Sequence, residues 1–563
     1  MAYAKQMLGI DSSSGGLKPE EIVRRGEKLF SDRLPLLTMW QDIAEMFYPE
    51  RADFIASRQV GNELAAGLAT GYPVLVRRDL GNSLGAMLRP TNKSWFHPRV
   101  DQWDKASSEA RAWLEMAEDR QRRAMYHKDT GFSRATKEAD HDFATFGQCV
   151  IQKAVNQKAN GLIFRCWHLR DVAWMENAAG KIDCVYRRWK PHASDLLRMF
   201  PDSVSKEVKD IVAERPYEQI DVVHVMLPAD MYMPGEKSRY PWYSVHIETK
   251  TKKVLEAVNV IQNEYIIARW QTVSGSQYAY SPAVVVAMAD ARTLQEMTVT
   301  LLEAGEKAVS PPLLGVQEAL RSDINVMAGG ITWVDYEYDE RLGEVLRPLT
   351  QDLRGIPLGI DMSRDVKQQL VEAFYINKLS LPPLVDGQMT AYEVGQRTQE
   401  YIRQAMPLFE PIETEYNAPL CDSTFTTLLQ FGVFGPTYDI PQELQGREVE
   451  FTFESPLHDA IERAKGQRFL EAASLVSTAV GGDKSSIYVL DVKKGLRDAL
   501  QSSGVPAGWL RSEADVDAAV KRDQAQQEAQ RFLEQMQQGA NVAKTIGLTP
   551  APSGTANTGA AGI

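Results

Sequence analysis

The chain has 563 residues, of which 44% are hydrophobic and 25% charged, a composition typical of a soluble globular protein with several domains. Its 63 basic and 75 acidic residues give a net charge of −12. That balance argues against tight, sequence-independent DNA binding, which depends on Lys and Arg neutralising phosphates. Apolar runs such as residues 283–289 are far shorter than the ~20 residues of a membrane span, and the N-terminus shows no secretion signal. The four widely spaced cysteines predict reduced thiols in a cytosolic environment.

The first half of the chain predicts an α+β domain. Its helical patterns come first, at 18–54 with a break at Pro35, at 71–100 where Pro90 ends a helix before an aromatic strand, at about 104–128 and at 132–147. Short β-like runs separated by turn sequences then predict a meander over 148–190. Short helices near 192–214 and further strands from 218 to 270 complete this half.

A long helix is predicted from Pro282 to Ala308, which would make a rod of roughly 40 Å at ~1.5 Å per residue. Apolar and small side chains recur along it at steps of three and four, and the stripe includes Val284, Met288, Ala291, Leu294 and Leu301. The small residues on this stripe favour the close approach of a neighbouring helix. Pro311 and Pro312 end the pattern.

The segment that follows contains an acidic cluster. Residues 331–338 alternate like a strand, and residues 344–349 are predicted to pair with them. The carboxylates of the cluster belong to Asp335, Glu337, Asp339 and Glu340. Their spacing fits no calcium-binding loop, so a solvated acidic strand face is the preferred interpretation over a cation site.

A second helical pattern, 361–379, leads into a loop with two well-marked ends. In "LPPLVDGQMTAYEVGQRTQE" (381–400), two prolines and an Asp-Gly turn end one helix, and Thr390 with Glu393 forms a capping box that begins another. The new pattern runs to about Gln430, with prolines at 407, 411 and 419 that should each kink or break it. A strand at 448–457, helices at 458–480 and 515–538, and a compositionally disordered tail follow.

No motif in the sequence indicates an active site. Met175 stands where a P-loop ending at Gly180-Lys181 would need its first glycine, and the eight histidines show no metal-binding spacing. His-Asp pairs occur at 141–142 and 458–459, but neither accompanies a G-x-S-x-G nucleophile elbow. We therefore predict a protein that is not an enzyme, without catalytic residues, cofactor or metal; an unrecognised hydrolase is the least favoured alternative.

Four stretches in a fixed order carry a resemblance to a known family. They are "FYPERADF" (47–54), "LGNSLGAMLRPTNKSWFHPRV" (80–100), "ARWQTVSGSQYAYSPAVVVAMADARTLQEM" (268–297) and "MTAYEVGQRTQE" (389–400). In this order and spacing, from about residue 20 to 480, the chain resembles the portal proteins of tailed bacteriophages. The head-to-tail connectors of short-tailed phages are the most similar type. Ala279 departs from the pattern, because a glycine is common there.

The resemblance implies a ring, usually of twelve subunits, at one capsid vertex of the virion, assembled in the host cytoplasm. It would pass double-stranded DNA during packaging and ejection. The implied partners are other copies of the chain, terminase, tail adaptor proteins, capsid and scaffolding proteins and the DNA, and no membrane. Mapped by motif order, the parts are a wing (1–280), stem helices (281–309 and 358–379), a clip (310–357), a tunnel loop (380–390), a long helix with a wing strand (391–457), a crown (458–547) and a disordered tail (548–563).

Charge gives the implied loop a physical role. Between Leu379 and Gln396 there is no Lys or Arg, so the loop could face DNA without holding its phosphates. We predict that Asp386, Gly387 and Gln388 form the loop tip and guide the duplex sterically, and that the acidic cluster at 335–340 docks basic partners such as terminase or tail adaptors. The alternatives are a tail adaptor or scaffold ring protein with a helical arm, and an ordinary surface loop at 380–390.

Overall fold

The structure is a computed structural model that describes most of the chain up to residue 453. The described residues are 17–55, 61–90, 94–101, 107–156, 160–235, 237–309, 311, 313–315, 346–348, 355–379, 410–436 and 439–453, with short helical pieces between 469 and 530. The chain divides into one unit of residues 1–106 and 113–464 and another of residues 107–112 and 465–563. Helices and sheets mix within the first unit, so the α+β prediction is confirmed. No helix in the described residues is long and apolar enough to cross a membrane.

Proline and glycine set many of the helix ends. The helices are α1 (Pro19–Asp32), α2 (Leu34–Phe47), α3 (Tyr72–Leu88), α4 (Ser108–Met125), α5 (Phe132–Phe146), α6 (Ala193–Met199), α7 (Lys206–Glu214), α8 (Ala229–Tyr232), α9 (Pro282–Val309), α10 (Gly355–Ala373), α11 (Ile376–Leu379) and α12 (Ala418–Gln430). Pro19 and Pro35 occupy first turns, where a missing amide hydrogen costs no helical bond, and Arg33 separates α1 from α2. The predicted break at Pro35 and the predicted helix end before Pro90 are therefore confirmed.

The strands form four antiparallel sheets in the described residues. They are β1 (Phe96–Val100), β2 (Gln148–Val155), β3 (Leu162–Cys166), β4 (Val172–Glu176), β5 (Ile182–Trp189), β6 (Val222–Pro228), β7 (Trp242–Glu248), β8 (Val254–Val260), β9 (Tyr265–Arg269), β10 (Leu313–Gly315), β11 (Leu346–Pro348) and β12 (Val449–Phe453). The strand orders are β3-β2-β9, β4-β5-β6-β7-β8, β1-β12 and β10-β11.

The predicted single meander over 148–190 is wrong, because β2–β3 and β4–β5 belong to different sheets. A short 3-10 turn, Leu169–Asp171, redirects the chain between them. Arg33, which is far from this turn in sequence, contacts it directly. Its Nη1 donates to the carbonyls of Leu169 (2.7 Å) and Val172 (2.6 Å), and its Nη2 donates to that of Arg170. Burial lowers the pKa of Arg33 to about 10. Arg33 thus ties the turn between the two sheets to the junction of α1 and α2.

Two large hydrophobic cores hold the first unit together. The larger one lies between α2, α3, α5, α9 and the three-stranded sheet, and includes Trp40, Phe47, Leu80, Trp95, Phe143, Phe146, Ile151 and Ile266. The other fills the space between α1 and one face of the five-stranded sheet, with Ile22, Phe30, Tyr186, Val225 and Val245. Because the first half of α9 enters the larger core, the long helix is anchored at its N-terminal end.

The two long helices differ from their predicted bounds. α9 ends one residue later than predicted, and the second helix begins earlier than predicted and is interrupted before residue 379. α9 has 28 residues, or ~42 Å of helix, and α10 begins at Gly355, whereas the sequence pattern predicted a helix from 361. Pro357 lies in the first turn of α10, where proline is tolerated. The start of this helix was missed because glycine and proline so close together are typical of a loop. The predicted continuous helix to 379 is wrong, because Tyr375 has a positive φ of 58° and separates α10 from α11.

A two-stranded ribbon follows the end of α9. β10 and β11 pair antiparallel, with Leu313 opposite Pro348 and Gly315 opposite Leu346. Residues 344–349 were predicted to pair with 331–338; their described partner is β10, while 331–338 lie outside the described residues. The ribbon brings the chain leaving α9 back beside the chain that enters α10.

Pro411 and Pro419 were predicted to kink or break the last long helix; neither breaks it over the described residues, and the helix leaves the α form at a π turn between them. Helical backbone runs from Glu410 to Gln430 through a π turn, Glu413–Asn417, where the Ala418 amide donates to the Glu413 carbonyl. Pro419 directly follows this turn, in the first turn of α12. A proline ring clashes with the carbonyl four residues earlier, and the wider π turn accommodates it without ending the helix. Pro407 lies outside the described residues.

Candidate functional site

Two of the three predicted sites lie outside the described residues. These are the loop tip, Asp386, Gly387 and Gln388, and the acidic surface, Asp335, Glu337, Asp339 and Glu340. The helix that should follow the capping box at Thr390 is described only from Glu410 onward. The third site, the stripe on the long helix, lies wholly within the described residues, so its contacts can be described.

The stripe on α9 packs within its own chain. Val284, Ala291 and Leu294 are buried in the larger core, and Met288 packs half-buried against it. Leu301, about two turns beyond Leu294, lies against α10: a Cβ at Gly359 would be 2.8 Å from Leu301 Cδ2. The stripe residues therefore join the rod to the body and to its partner helix.

The same two helices also expose apolar side chains, some on other faces and some on the stripe's face beyond the core. α9 exposes Val285, Val286, Val299, Leu302 and Val309, and α10 exposes Leu358, Ile360 and Met362, with exposed fractions from 45% for Val299 to 88% for Val309. Single exposed apolar residues are common on protein surfaces, but a series of them along one pair of helices marks an interaction surface. The sequence carried this signal, because α9 has apolar residues on more than one face, which is typical of a helix with more than one neighbour.

A side-chain clamp fixes the rod where it leaves the body. Gln295 Oε1 accepts from the amide of Thr70 (2.9 Å), and Gln295 Nε2 donates to the carbonyl of Thr70 (2.8 Å). The pair of bonds imitates a strand pairing and ties the loop before α3 to the middle of α9. Lys367 of α10 lies 5.5 Å from the ring of Tyr72, so both rods contact the start of α3. No sequence pattern indicated Gln295 or Thr70.

A buried arginine connects the body to the helical segment described from Glu410 to Gln430. Arg89 at the end of α3 bonds Asp140 of α5 and donates to Asn417 Oδ1 (2.8 Å), and its guanidinium lies 4.5 Å from the Tyr416 ring. Burial opposes the charge of Arg89, but Asp140 outweighs it and holds the pKa of Arg89 above its usual value. Burial also raises the pKa of Asp140, which favours its neutral form, so the two shifts oppose one another. What the contacts show is that this buried pair joins α3, α5 and the π turn.

The one candidate hydrolase pair in the described residues has other partners. His141 Nδ1 lies 3.2 Å from Arg77 Nη1, and burial followed by the charge of Arg77 lowers the pKa of His141 to about 4. Asp142 accepts two bonds from Arg51, at 3.0 and 2.6 Å. His141 and Asp142 thus do not form the base and orienting acid of a hydrolase, and His458 lies outside the described residues. No group of three His, Cys, Asp or Glu side chains placed for a metal ion occurs in the described part of the chain.

Comparisons with known proteins agree with the resemblance. The model of a family described as bacteriophage head to tail connecting protein matches residues 20–510. The probable portal protein of Bordetella phage BPP-1 is 23% identical over 541 residues, which cover 93% of this chain and 95% of that protein. The portal protein of Salmonella phage epsilon15 is 19% identical over 546 residues, covering 94% and 95%.

Among solved structures, a chain of the virion of a native gene transfer agent particle matches 77% of this chain and 95% of its own length, at 9% identity and a TM-score of 0.31. The family match spans nearly all of the described residues and most of the sequence. The chain belongs to the bacteriophage head to tail connecting protein family.

Proposed function

We propose that this chain is the subunit of a phage portal, a ring of twelve copies at one capsid vertex, as in the family it resembles. The ring's channel passes double-stranded DNA during packaging and ejection. The ring docks terminase first and tail adaptor proteins later, and contacts capsid and scaffolding proteins. The family match and the two relatives named portal protein support the connecting role. The chain itself carries out no chemistry in this proposal.

The observation that carries the ring is the exposed apolar surface of the helix pair. Two packed helices can bury only one stripe each against one another, and the remaining apolar side chains need further layers. α9 and α10 expose such side chains on faces that neither the core nor the other helix covers. Neighbouring copies on both sides would cover them, and a repeated head-to-tail contact of this kind forms a ring when the rotation between copies closes.

The parts of the proposed portal follow the described elements. α9 and α10 are the stem helices of 281–309 and 358–379, and the ribbon of β10 and β11 begins and ends the clip of 310–357. Strand β12 returns to pair with β1, which supports its place in the wing. The tunnel loop at 380–390, with Asp386, Gly387 and Gln388 at its tip, and the acidic docking surface at 335–340 are proposals from charge.

Charge placed on the stem surface is expected to stop assembly. Leu302→Glu and Leu358→Glu each put a carboxylate on a side chain that is 63% or 64% exposed in the single chain, so the fold should tolerate them. In a ring the same carboxylates would be buried without partners, at a cost of several kcal/mol each. Light scattering and negative-stain images of the purified chain should show rings for the parent and monomers or small fragments for both variants.

The matched control is Leu34→Glu, because Leu34 is 57% exposed and begins α2, away from the stem. It should assemble like the parent. Rings of normal size from both stem variants would show that the stem is not part of the subunit interface. A parent that stays monomeric under packaging conditions would favour an adaptor over a portal.

Lysines at the loop tip are expected to slow DNA packaging while rings still form. Duplex DNA carries one charge per ~1.7 Å of its axis, so Asp386→Lys with Gln388→Lys, repeated around a ring, would hold phosphates that should slide past. Nuclease-protected DNA in capsids filled by terminase measures the rate. The neutral control, Asp386→Asn with Gln388→Asn, should package normally. Normal packaging by the lysine variant would mean that this loop does not line the channel.

A further inference from the structure

A row of polar side chains crosses the five-stranded sheet on the face away from α1. Arg187 of β5 lies opposite His224 of β6, and His224 lies opposite His246 of β7. Glu256 of β8 completes the row opposite His246. Residues directly opposite one another in antiparallel strands point to the same face of the sheet, so these side chains are neighbours. No local sequence pattern indicates the row, because each member comes from a different strand.

The inner imidazole, His224, is fully buried and hydrogen-bonded at both ring nitrogens. Its Nδ1 lies 2.5 Å from the hydroxyl of Tyr265 in β9, and its Nε2 lies 2.8 Å from Ser244 Oγ. Because Arg187 Nε donates to the same Tyr265 oxygen (2.7 Å), the hydroxyl hydrogen is directed to His224 Nδ1. His224 therefore carries its one ring hydrogen on Nε2 and donates it to Ser244. These bonds join the five-stranded to the three-stranded sheet, and they fit a neutral imidazole.

The outer imidazole, His246, lies flat against His224. The ring centroids are 4.1 Å apart and the ring planes differ by 8°. His246 Nδ1 is buried and has no hydrogen-bond partner among the described residues, while the Phe200 ring lies 5.3 Å away. Burial, and after it the charge of Arg187, lowers the pKa of His246 to about 3. Burial also lowers the pKa of His224, with smaller contributions from the neighbouring imidazole and the guanidinium.

The carboxylates around the row do not reverse this effect of burial. Glu256 occupies the edge strand, Glu248 ends β7, and Glu264 directly precedes β9. Burial raises the pKa of Glu264, which favours its neutral form, and Lys153 of β2 adds a positive charge near it. His246 keeps a lowered pKa although Glu256 lies opposite it.

We propose that this row makes the contact between the five-stranded and three-stranded sheets acid-sensitive, since the contact is stable only while His224 and His246 are neutral. A histidine exposed by opening has a pKa of ~6.5 and takes up a proton below it, whereas these two resist protonation in the closed contact. Stability is therefore fully present above ~pH 6.5 and is lost as the pH falls toward the lowered pKa values. Each histidine multiplies the opening constant by ~10 per pH unit in this window, and the two together by ~100. The inference does not depend on the ring.

Hydrogen exchange of the full-length chain, followed by mass spectrometry between about pH 7 and pH 4.5, measures this opening in the β6 and β7 peptides. His246→Phe keeps a ring against His224 and Phe200 and loses a buried nitrogen that has no partner in the described residues. After correction for intrinsic exchange rates, protection in this variant should fall ~10-fold less per pH unit than in the parent. Other titrating groups act on both proteins alike, so equal pH dependence in the two would overturn the proposal.

Ser244→Ala is the matched control, because it removes the acceptor of His224 Nε2 but no ionisable group. It should lower protection by the same factor at every pH, so that its pH profile runs parallel to that of the parent. A profile flattened as much as that of His246→Phe would show that packing, and not protonation, sets the slope, and would also overturn the proposal. If His246→Phe did not fold, His246→Gln carries the same expectation.

Discussion

Gly147→Ala is expected to abolish folding. Gly147 joins α5 to β2 with a φ of 71°, its amide donates to the Phe143 carbonyl (2.9 Å), and its carbonyl accepts from the Trp270 amide (2.8 Å). A Cβ there would lie within 3.0 Å of backbone atoms of Tyr280 and Ser281, closer than real Cβ atoms approach any neighbour.

That backbone cannot give way cheaply. Ser281 Oγ donates to the Ala144 carbonyl (2.7 Å), and the chain enters α9 directly after it. The left-handed conformation alone costs a residue with a side chain ~1–2 kcal/mol, and the overlap with fixed backbone should raise the total above ~5 kcal/mol. Soluble yield and the midpoint of urea unfolding, followed by tryptophan fluorescence, measure the loss.

Gly180→Ala separates the two causes. Gly180 has nearly the same φ, 74°, but an added Cβ there meets nothing within 4 Å. It should fold and lose only ~1–2 kcal/mol. Equal losses at both positions would mean that the approach of the α9 entry to Gly147 is looser than the structure has it.

Local rules predicted much of the helical structure. Prolines 19, 35 and 90 act through their own missing amide and fixed φ, so the ends of α1, α2 and α3 follow from neighbouring residues alone. The start of α10 was missed because local rules misled there: the residue types of Gly355, Pro357 and Gly359 are typical of a loop. Only contact with Leu301 makes a glycine favourable inside that helix.

The sheets depend on contacts that no local pattern contains. The strand near 448–457 was predicted, but its pairing with β1, Val100 opposite Val449, spans some 350 residues of sequence. Arg33 contacts the turn between the two hairpins through carbonyls that are remote from it in sequence. Amphipathic alternation predicts that a strand exists and leaves its partner open.

For the candidate site, the sequence identified the apolar stripe on the long helix but not which parts of the molecule it contacts. The stripe from Val284 to Leu301 was predicted to meet a neighbouring helix, and its residues contact their own core and α10. The surface we propose for neighbouring copies is made of the apolar side chains that stay exposed on the same rods, because periodicity identifies an apolar face without saying what covers it. The loop tip and the acidic surface stay predictions.

Arg89→Met should lower the free energy of unfolding by ~3–5 kcal/mol, because it leaves the buried Asp140 carboxylate without its counter-charge. Asn417 would also lose the donor to its Oδ1, and Tyr416 the cation beside its ring. Urea unfolding of the parent and variant at neutral pH gives the difference. As a control, Arg134→Met removes an exposed partner of Glu138 and should stay within ~0.5 kcal/mol of the parent.

The double variant Arg89→Met with Asp140→Asn identifies the charge as the cause. A neutral amide costs far less to bury than an unpaired carboxylate, so the second change should recover much of the loss even though it removes another native side chain. If the losses of the two single changes simply added, the two side chains would be acting independently, and Arg89 would stabilise the fold through packing on Tyr416 instead. Coupling of the two is what the geometry requires, since Asp140 is almost fully buried and its carboxylate faces the guanidinium that also holds Asn417 beside the π turn.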